Sequence, residues 1–140
     1  MQDHGTIEHW MTRQPLSVTV DCPIRQALGL MQGAGVRHLL VLDGDRLTGI
    51  LSNRDVRRLV EDPQHPARLS DPVARIMTEG PVTIAPETPV TVAARLLLEG
   101  KIGALPVRDG DAIVGIFTTA DALDALLTLL EGPGHRGLAP

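Results

Sequence analysis

The stretch VRHLLVLDGDRLTGILSNRD, residues 36–55, returns 66 positions later as IGALPVRDGDAIVGIFTTAD, residues 102–121. Without a gap, the correspondence runs over 11–56 on one side and 77–122 on the other, with 14 identical pairs in 46 positions. Chance pairing in a chain of this composition would give about a third as many. The identities sit where physics is least permissive: Pro23/Pro89, Asp43-Gly44-Asp45 with Asp109-Gly110-Asp111, Gly49/Gly115 and Asp55/Asp121. The duplication is therefore structural.

Working outward, Asp-Gly between apolar runs is a strong hairpin signal. It predicts paired strands over 38–42 and 47–51, and again over 105–108 and 113–117. Upstream, apolar residues recur at i, i+3, i+4, i+7: Ile24, Ala27, Leu28 and Met31, then Val90, Ala93, Ala94 and Leu97. Each set reads as a helix with one buried stripe. Pro23 and Pro89 suit a first turn, Thr88 is a good cap, and Gly33, Gly35, Gly100 and Gly103 allow left-handed endings. Short alternating strands precede these helices at 16–20 and 82–84. A second helix follows each hairpin, over 53–61 and 119–131. The repeats span 7–61 and 73–131, joined by a proline-punctuated connector, 62–72, and followed by a Gly/Pro-rich tail, 132–140, expected to be disordered.

Each repeat is close to the ~60 residues at which an isolated unit buries too little surface to be secure. Two halves gain by burying faces against each other. A net charge of −4, with Trp10 and Phe117 the only aromatics, lacks the basic footprint and stacking platforms of a nucleic-acid binder. No signal segment and no apolar run of about 18 residues are present, so a cytoplasmic protein is expected. Cys22 is the sole cysteine and excludes an intrachain disulfide. His4 and His9 form no convincing zinc framework. No phosphate-cradling, zincin or nucleophile-elbow motif occurs, and no enzyme is expected.

The last helix is wider in apolar character than a monomer requires, with Leu123, Leu126, Leu127 and Leu130 in one stripe. It packs on the partner repeat or forms a homodimer seam through residues 122–130.

The best preserved chemistry is Gly49-Ile50-Leu51-Ser52-Asn53-Arg54-Asp55 and its match Gly115-Ile116-Phe117-Thr118-Thr119-Ala120-Asp121. A hydroxyl followed three residues later by an acid is a capping box. It is also a place where a carboxylate can accept two bonds from vicinal sugar hydroxyls while the helix N-terminus favours phosphate. Both readings stand on the residues alone.

The duplicated Met-Thr start, the GVRHLLVLD and KIGALPVRD strands and the two G-h-x-[ST]-x-x-D endings resemble a tandem pair of CBS domains, a Bateman module. The resemblance covers nearly the whole chain. It implies an α/β fold of duplicated strand-helix-hairpin-helix units, packed sheet to sheet with pseudo-two-fold symmetry. Two related clefts between the repeats would hold adenosine-containing ligands, and many members form flat dimers. It gives Asp55 and Asp121 the ribose hydroxyls, assisted by Ser52 and Thr118. Phosphate contacts fall to Arg37 and His38, whose counterparts are Gly103 and Ala104, and to Arg54, whose counterpart is Ala120. The two sites are unequal. Val18, Ile84, Ile102 and Gly103 are candidate walls of the base pocket, or plain core and turn.

The function implied is a regulatory ligand-sensing module. It binds AMP, ADP or ATP, requires no cofactor or metal, and signals to an effector protein. A structural or oligomerisation module without ligand, or an S-adenosylmethionine sensor, are the alternatives.

Overall fold

In the computed structural model, which describes residues 5–132, the two repeats return the same order of elements. A single 3-10 turn (Ile7–His9) leads into β1 (Thr12–Arg13), β2 (Ser17–Thr19) and α1 (Ile24–Ala34). The hairpin of β3 (His38–Asp43) and β4 (Arg46–Ser52) follows, then α2 (Asn53–Glu61). The second half runs through a 3-10 turn (Val73–Arg75), β5 (Thr78–Glu79), α3 (Val90–Gly100), the hairpin β6 (Ala104–Asp109) and β7 (Ala112–Thr118), and α4 (Thr119–Glu131). His4 and the expected tail beyond Gly132 lie outside the described residues. The mixed α/β architecture of duplicated units is as the sequence predicts.

Gly44 and Gly110 each take φ 62°, at the first of the two turn residues, where a type II′ hairpin needs positive φ. The hairpins register alike: His38 faces Ser52 and Ala104 faces Thr118.

The unit in space is not the repeat in sequence. β1 pairs antiparallel with β7, Thr12 opposite Ile116, and β5 pairs with β4, Thr78 opposite Ile50. Each repeat thus lends its leading segment to the other's sheet. One compact unit joins the residues through Gln14 to those from Val82 onward, and the other is Pro15–Pro81. Their sheets order as β1-β7-β6 and β2-β3-β4-β5.

In the Pro15–Pro81 unit, Ile24, Ala27 and Met31 of α1 meet Leu39, Val41 and Leu51 of the hairpin and Val56 and Leu59 of α2. The connector takes part: Ala67 is buried, and the N–H groups of Ile24 and Arg25 donate to the carbonyls of Asp71 and Leu69 at 2.9 Å each. Those bonds satisfy donors that a helix start leaves open. In the other unit Ile7, Trp10 and Met11 close the core of Ile84, Ala93, Leu97, Leu105, Val107, Phe117 and Ala125.

Two glycines are demanded by this exchange. A Cβ on Gly49 would lie 2.6 Å from Met77 Sδ and 2.8 Å from the Thr78 carbonyl oxygen, and one on Gly115 would lie 2.8 Å from the Thr12 carbonyl oxygen and 2.9 Å from Met11 Sδ. The borrowed strand fits only because these positions carry no side chain.

Some local expectations change. The strand expected at 82–84 shrinks to one parallel bridge, Ile84 to Val107. In the first unit Leu40 N–H donates to the Leu16 carbonyl at 3.0 Å and Val20 N–H to the Leu42 carbonyl at 3.1 Å. The matching donors would be Pro106 and Pro86, which have no N–H. Pro23 and Pro89 stand at the N-cap with extended ψ rather than inside the first turn, and neither helix has a side-chain cap. Thr88 Oγ1 instead accepts from Ala85 N–H at 3.2 Å. Gly35 ends α1 in the left-handed region, but at the end of α3 that conformation falls to Lys101, φ 54°, not to Gly100 or Gly103.

Candidate functional site

At the end of β4 the chain passes from extended Ser52 directly into α2, and at the end of β7 from Thr118 into α4. Both helix starts form complete capping boxes. Asp55 N–H donates to Ser52 Oγ at 3.1 Å, while Ser52 N–H and Oγ–H donate to Asp55 Oδ2 at 3.1 and 2.9 Å. In the second box Asp121 N–H donates to Thr118 Oγ1 at 3.3 Å, and Thr118 N–H and Oγ1–H donate to Asp121 Oδ2 at 2.9 and 3.1 Å.

Every one of these cap bonds to a carboxylate ends on Oδ2. A carboxylate has two acceptor oxygens, so capping and ligand binding are not exclusive: Oδ1 is left over. In the second box a hydroxyl already touches it, with Thr12 Oγ1 donating to Asp121 Oδ1 at 3.4 Å. Thr12 was not among the expected site residues. Its signal was the duplicated Met-Thr start, but only the exchange of β1 into the β7 sheet makes it a neighbour of Asp121.

The surroundings of the two boxes differ in charge. In the Pro15–Pro81 unit, Asn53 N–H donates to the Arg37 carbonyl at 2.8 Å, so Arg37 sits beside the start of α2. His38 lies across from Ser52 in the hairpin. Burial foremost holds its imidazole pKa below the usual value; the Asp55 carboxylate opposes this, and Arg54 and Arg37 add to it. Ser52, Asp55, Arg37, His38 and Arg54 are thus gathered at one helix start, with both arginines exposed.

In the other unit Thr119 N–H donates to the Gly103 carbonyl at 3.1 Å, the same backbone bond, but Gly103, Ala104 and Ala120 bring no cation. Burial foremost raises the Asp121 carboxyl above its ordinary value; the Thr118 and Thr12 bonds partly offset this, and Asp124 reinforces it. Exposed arginines thus stand at the first helix start, and their counterparts at the second carry no charge.

Of the expected walls, Gly103 lies at the second helix start through that backbone bond. Val18 packs against the first core and Ile84 belongs to the second, whereas Ile102 is exposed and Gly103 half-buried. Among the described residues no group of three or more His, Cys, Asp or Glu could hold a metal ion. Nor is any described helix long and apolar enough to cross a membrane.

The CBS domain model matches the chain twice, over residues 7–62 and 73–128. A CBS domain-containing protein of Dictyostelium discoideum is 31% identical over 135 residues, which span 89% of this chain and 93% of that one. Homoserine O-acetyltransferase of Methanocorpusculum labreanum is 34% identical over 116 residues, 81% of this chain but only 23% of that enzyme. Among solved structures, CBSX2 in complex with AMP superposes with a TM-score of 0.77 at 30% identity, covering 91% of this chain and 99% of that one.

Proposed function

The chain belongs to the CBS-domain family, and from that premise we propose that it is a regulatory module that binds an adenine nucleotide, AMP, ADP or ATP, and signals to a partner protein. The observation that carries this reading is the division of labour within each carboxylate: the cap bonds end on Oδ2 and leave Oδ1 outside them, so a ribose hydroxyl can be held without opening the helix. Arg37, His38 and Arg54 supply phosphate donors at the first helix start. The AMP complex of CBSX2, similar over nearly its whole length, supports the ligand class. For signalling, the nucleotide must favour one conformation of the module over another. The module acts as a homodimer, without turnover of its ligand.

A thermal-shift titration with AMP, ADP, ATP, S-adenosylmethionine and a GTP control tests this. A ligand at about 100 times its dissociation constant stabilises by ~2.7 kcal/mol, or roughly 9 °C for a chain of this size. The expected result is a shift selective for adenine nucleotides and lost in Asp55→Ala or Asp121→Ala.

The completeness of both capping boxes favours a second reading, a structural module without ligand. Under it Asp55→Ala costs about 1 kcal/mol of stability, as lost caps do, and all five compounds leave the midpoint unmoved. A response to S-adenosylmethionine alone would point to the cation-free helix start instead.

A further inference from the structure

The two capping carboxylates make the same bonds to their caps but differ in what remains open to a ligand. An ionised aspartate accepts at about four places, two on each oxygen. In both repeats the cap fills one oxygen: Ser52 N–H and Oγ–H end on Asp55 Oδ2, and Thr118 N–H and Oγ1–H end on Asp121 Oδ2. The other oxygen sets them apart. Thr12 Oγ1 donates to Asp121 Oδ1 at 3.4 Å, whereas among the described residues no bond ends on Asp55 Oδ1. Both places on Oδ1 are therefore open at Asp55, and a single one at Asp121.

The difference does not come from a missing counterpart. Thr12 of β1 stands opposite Ile116 of β7, and Thr78 of β5 opposite Ile50 of β4, so each threonine sits at the same step before its capping hydroxyl. Both are exposed, yet only Thr12 donates to the acid. Its bond is among those that favour the charged Asp121 carboxylate.

A ribose carries its 2′- and 3′-hydroxyls side by side, and each is a donor. Asp55 Oδ1 has room for both. Asp121 Oδ1 has room for one while the Thr12 hydroxyl stays in place.

We infer that Thr12 is a specificity-determining residue: by occupying Asp121 Oδ1 it restricts the second helix start to one sugar hydroxyl, while the first accepts the vicinal pair. This rests on the nucleotide reading above and adds to it the sugar that each repeat selects. The first repeat distinguishes ribose from deoxyribose. The second does so only weakly, because whichever hydroxyl a deoxy sugar keeps can take the one open place.

Isothermal titration calorimetry of the full chain with AMP, 2′-deoxy-AMP and 3′-deoxy-AMP tests this. The wild type is expected to show two classes of site. One weakens about tenfold with either deoxy analogue, as the loss of one hydrogen bond to a charged acceptor requires, and the other by less than about threefold. Thr12→Val keeps the shape of the side chain and removes the donor, and in it both classes should weaken about tenfold with either analogue. Thr12→Ser restores the hydroxyl and should return the wild-type pattern. If Thr12 only held β1 in place, its variants would move the melting temperature and leave the ratio of AMP to deoxy-AMP affinity unchanged. A wild type that binds no AMP would overturn the nucleotide reading and this inference together. AMP binding to a single class of site, to two classes equally sensitive to the deoxy analogues, or with the wild-type pattern kept in Thr12→Val would overturn the role of Thr12 and leave nucleotide binding standing.

Discussion

The hydroxyl of Thr12 lies 3.4 Å from Oδ1 of Asp121, across 109 residues of chain. It stabilises the charged carboxylate against the burial that raises its pKa. Thr12→Val removes that bond and is expected to push the Asp121 carboxyl further up, seen in its NMR titration; an unchanged midpoint would show the contact to be without weight. A carboxyl raised in the folded state contributes stability that is full below its unfolded value near 3.8 and is lost as pH rises through the folded one. Asp121→Asn should therefore gain on the wild type across that interval, in melts from acid toward neutral pH.

His38 behaves in the opposite sense. Its folded pKa is depressed below 6.5, burial being the main cause, so the unfolded chain binds a proton that the folded chain refuses. Stability from this group is present above about pH 6.5 and falls as the pH drops toward the folded value. Melts between pH 7.5 and 5.5 should show this slope, and His38→Gln should flatten it.

Gly49→Ala and Gly115→Ala are expected to destabilise by about 1–3 kcal/mol each, the range for overpacking a tight contact. The obstruction at both sites includes a backbone carbonyl 2.8 Å from the new Cβ, which cannot rotate away as a methionine can. Shortening the sulfur side chain with Met77→Ala should therefore restore only part of the loss in the Gly49→Ala chain. Chemical denaturation of the single and double variants measures both.

Trp10, the only tryptophan and 4% exposed, lies before the first duplicated strand yet is packed in the core of the second repeat. Its emission should follow the unfolding of that unit. Leu105→Ala, a fully buried truncation in the same core, should lower the midpoint of the Trp10 transition by the equivalent of about 2–5 kcal/mol. Starting the chain at Pro15 should destabilise the same unit, because β7 loses its β1 neighbour.

The hairpins, the bounds of α2 and α4 and both capping boxes could be read from residues alone, because each is local. Asp-Gly sets the turns, and the hydroxyl-to-acid spacing sets the helix starts. The division of the chain into units could not. β1 and β5 are two residues long, too short for any period to show, and their partners are chosen by the fit of Met11 and Met77 over Gly115 and Gly49. The loss of the 82–84 strand was written in Pro86 and Pro106, but it becomes apparent only once their nitrogens, which carry no hydrogen, are seen to stand where the donors of that strand pairing would be. The candidate site divides likewise: Ser52, Asp55, Thr118 and Asp121 are a sequence pattern, whereas Thr12 joins them through tertiary exchange.

That exchange also sets the order in which the protein can be finished. As the chain is made from its N-terminus, everything the Pro15–Pro81 unit needs has emerged once residue 81 is free. Ile7, Trp10 and Met11 belong to a core whose Phe117 and Ala125 do not yet exist. These three wait until β7 and α4 appear, and are buried later than the core of the Pro15–Pro81 unit. For that interval they are the exposed apolar surface on which a partly made chain is most open to misassociation.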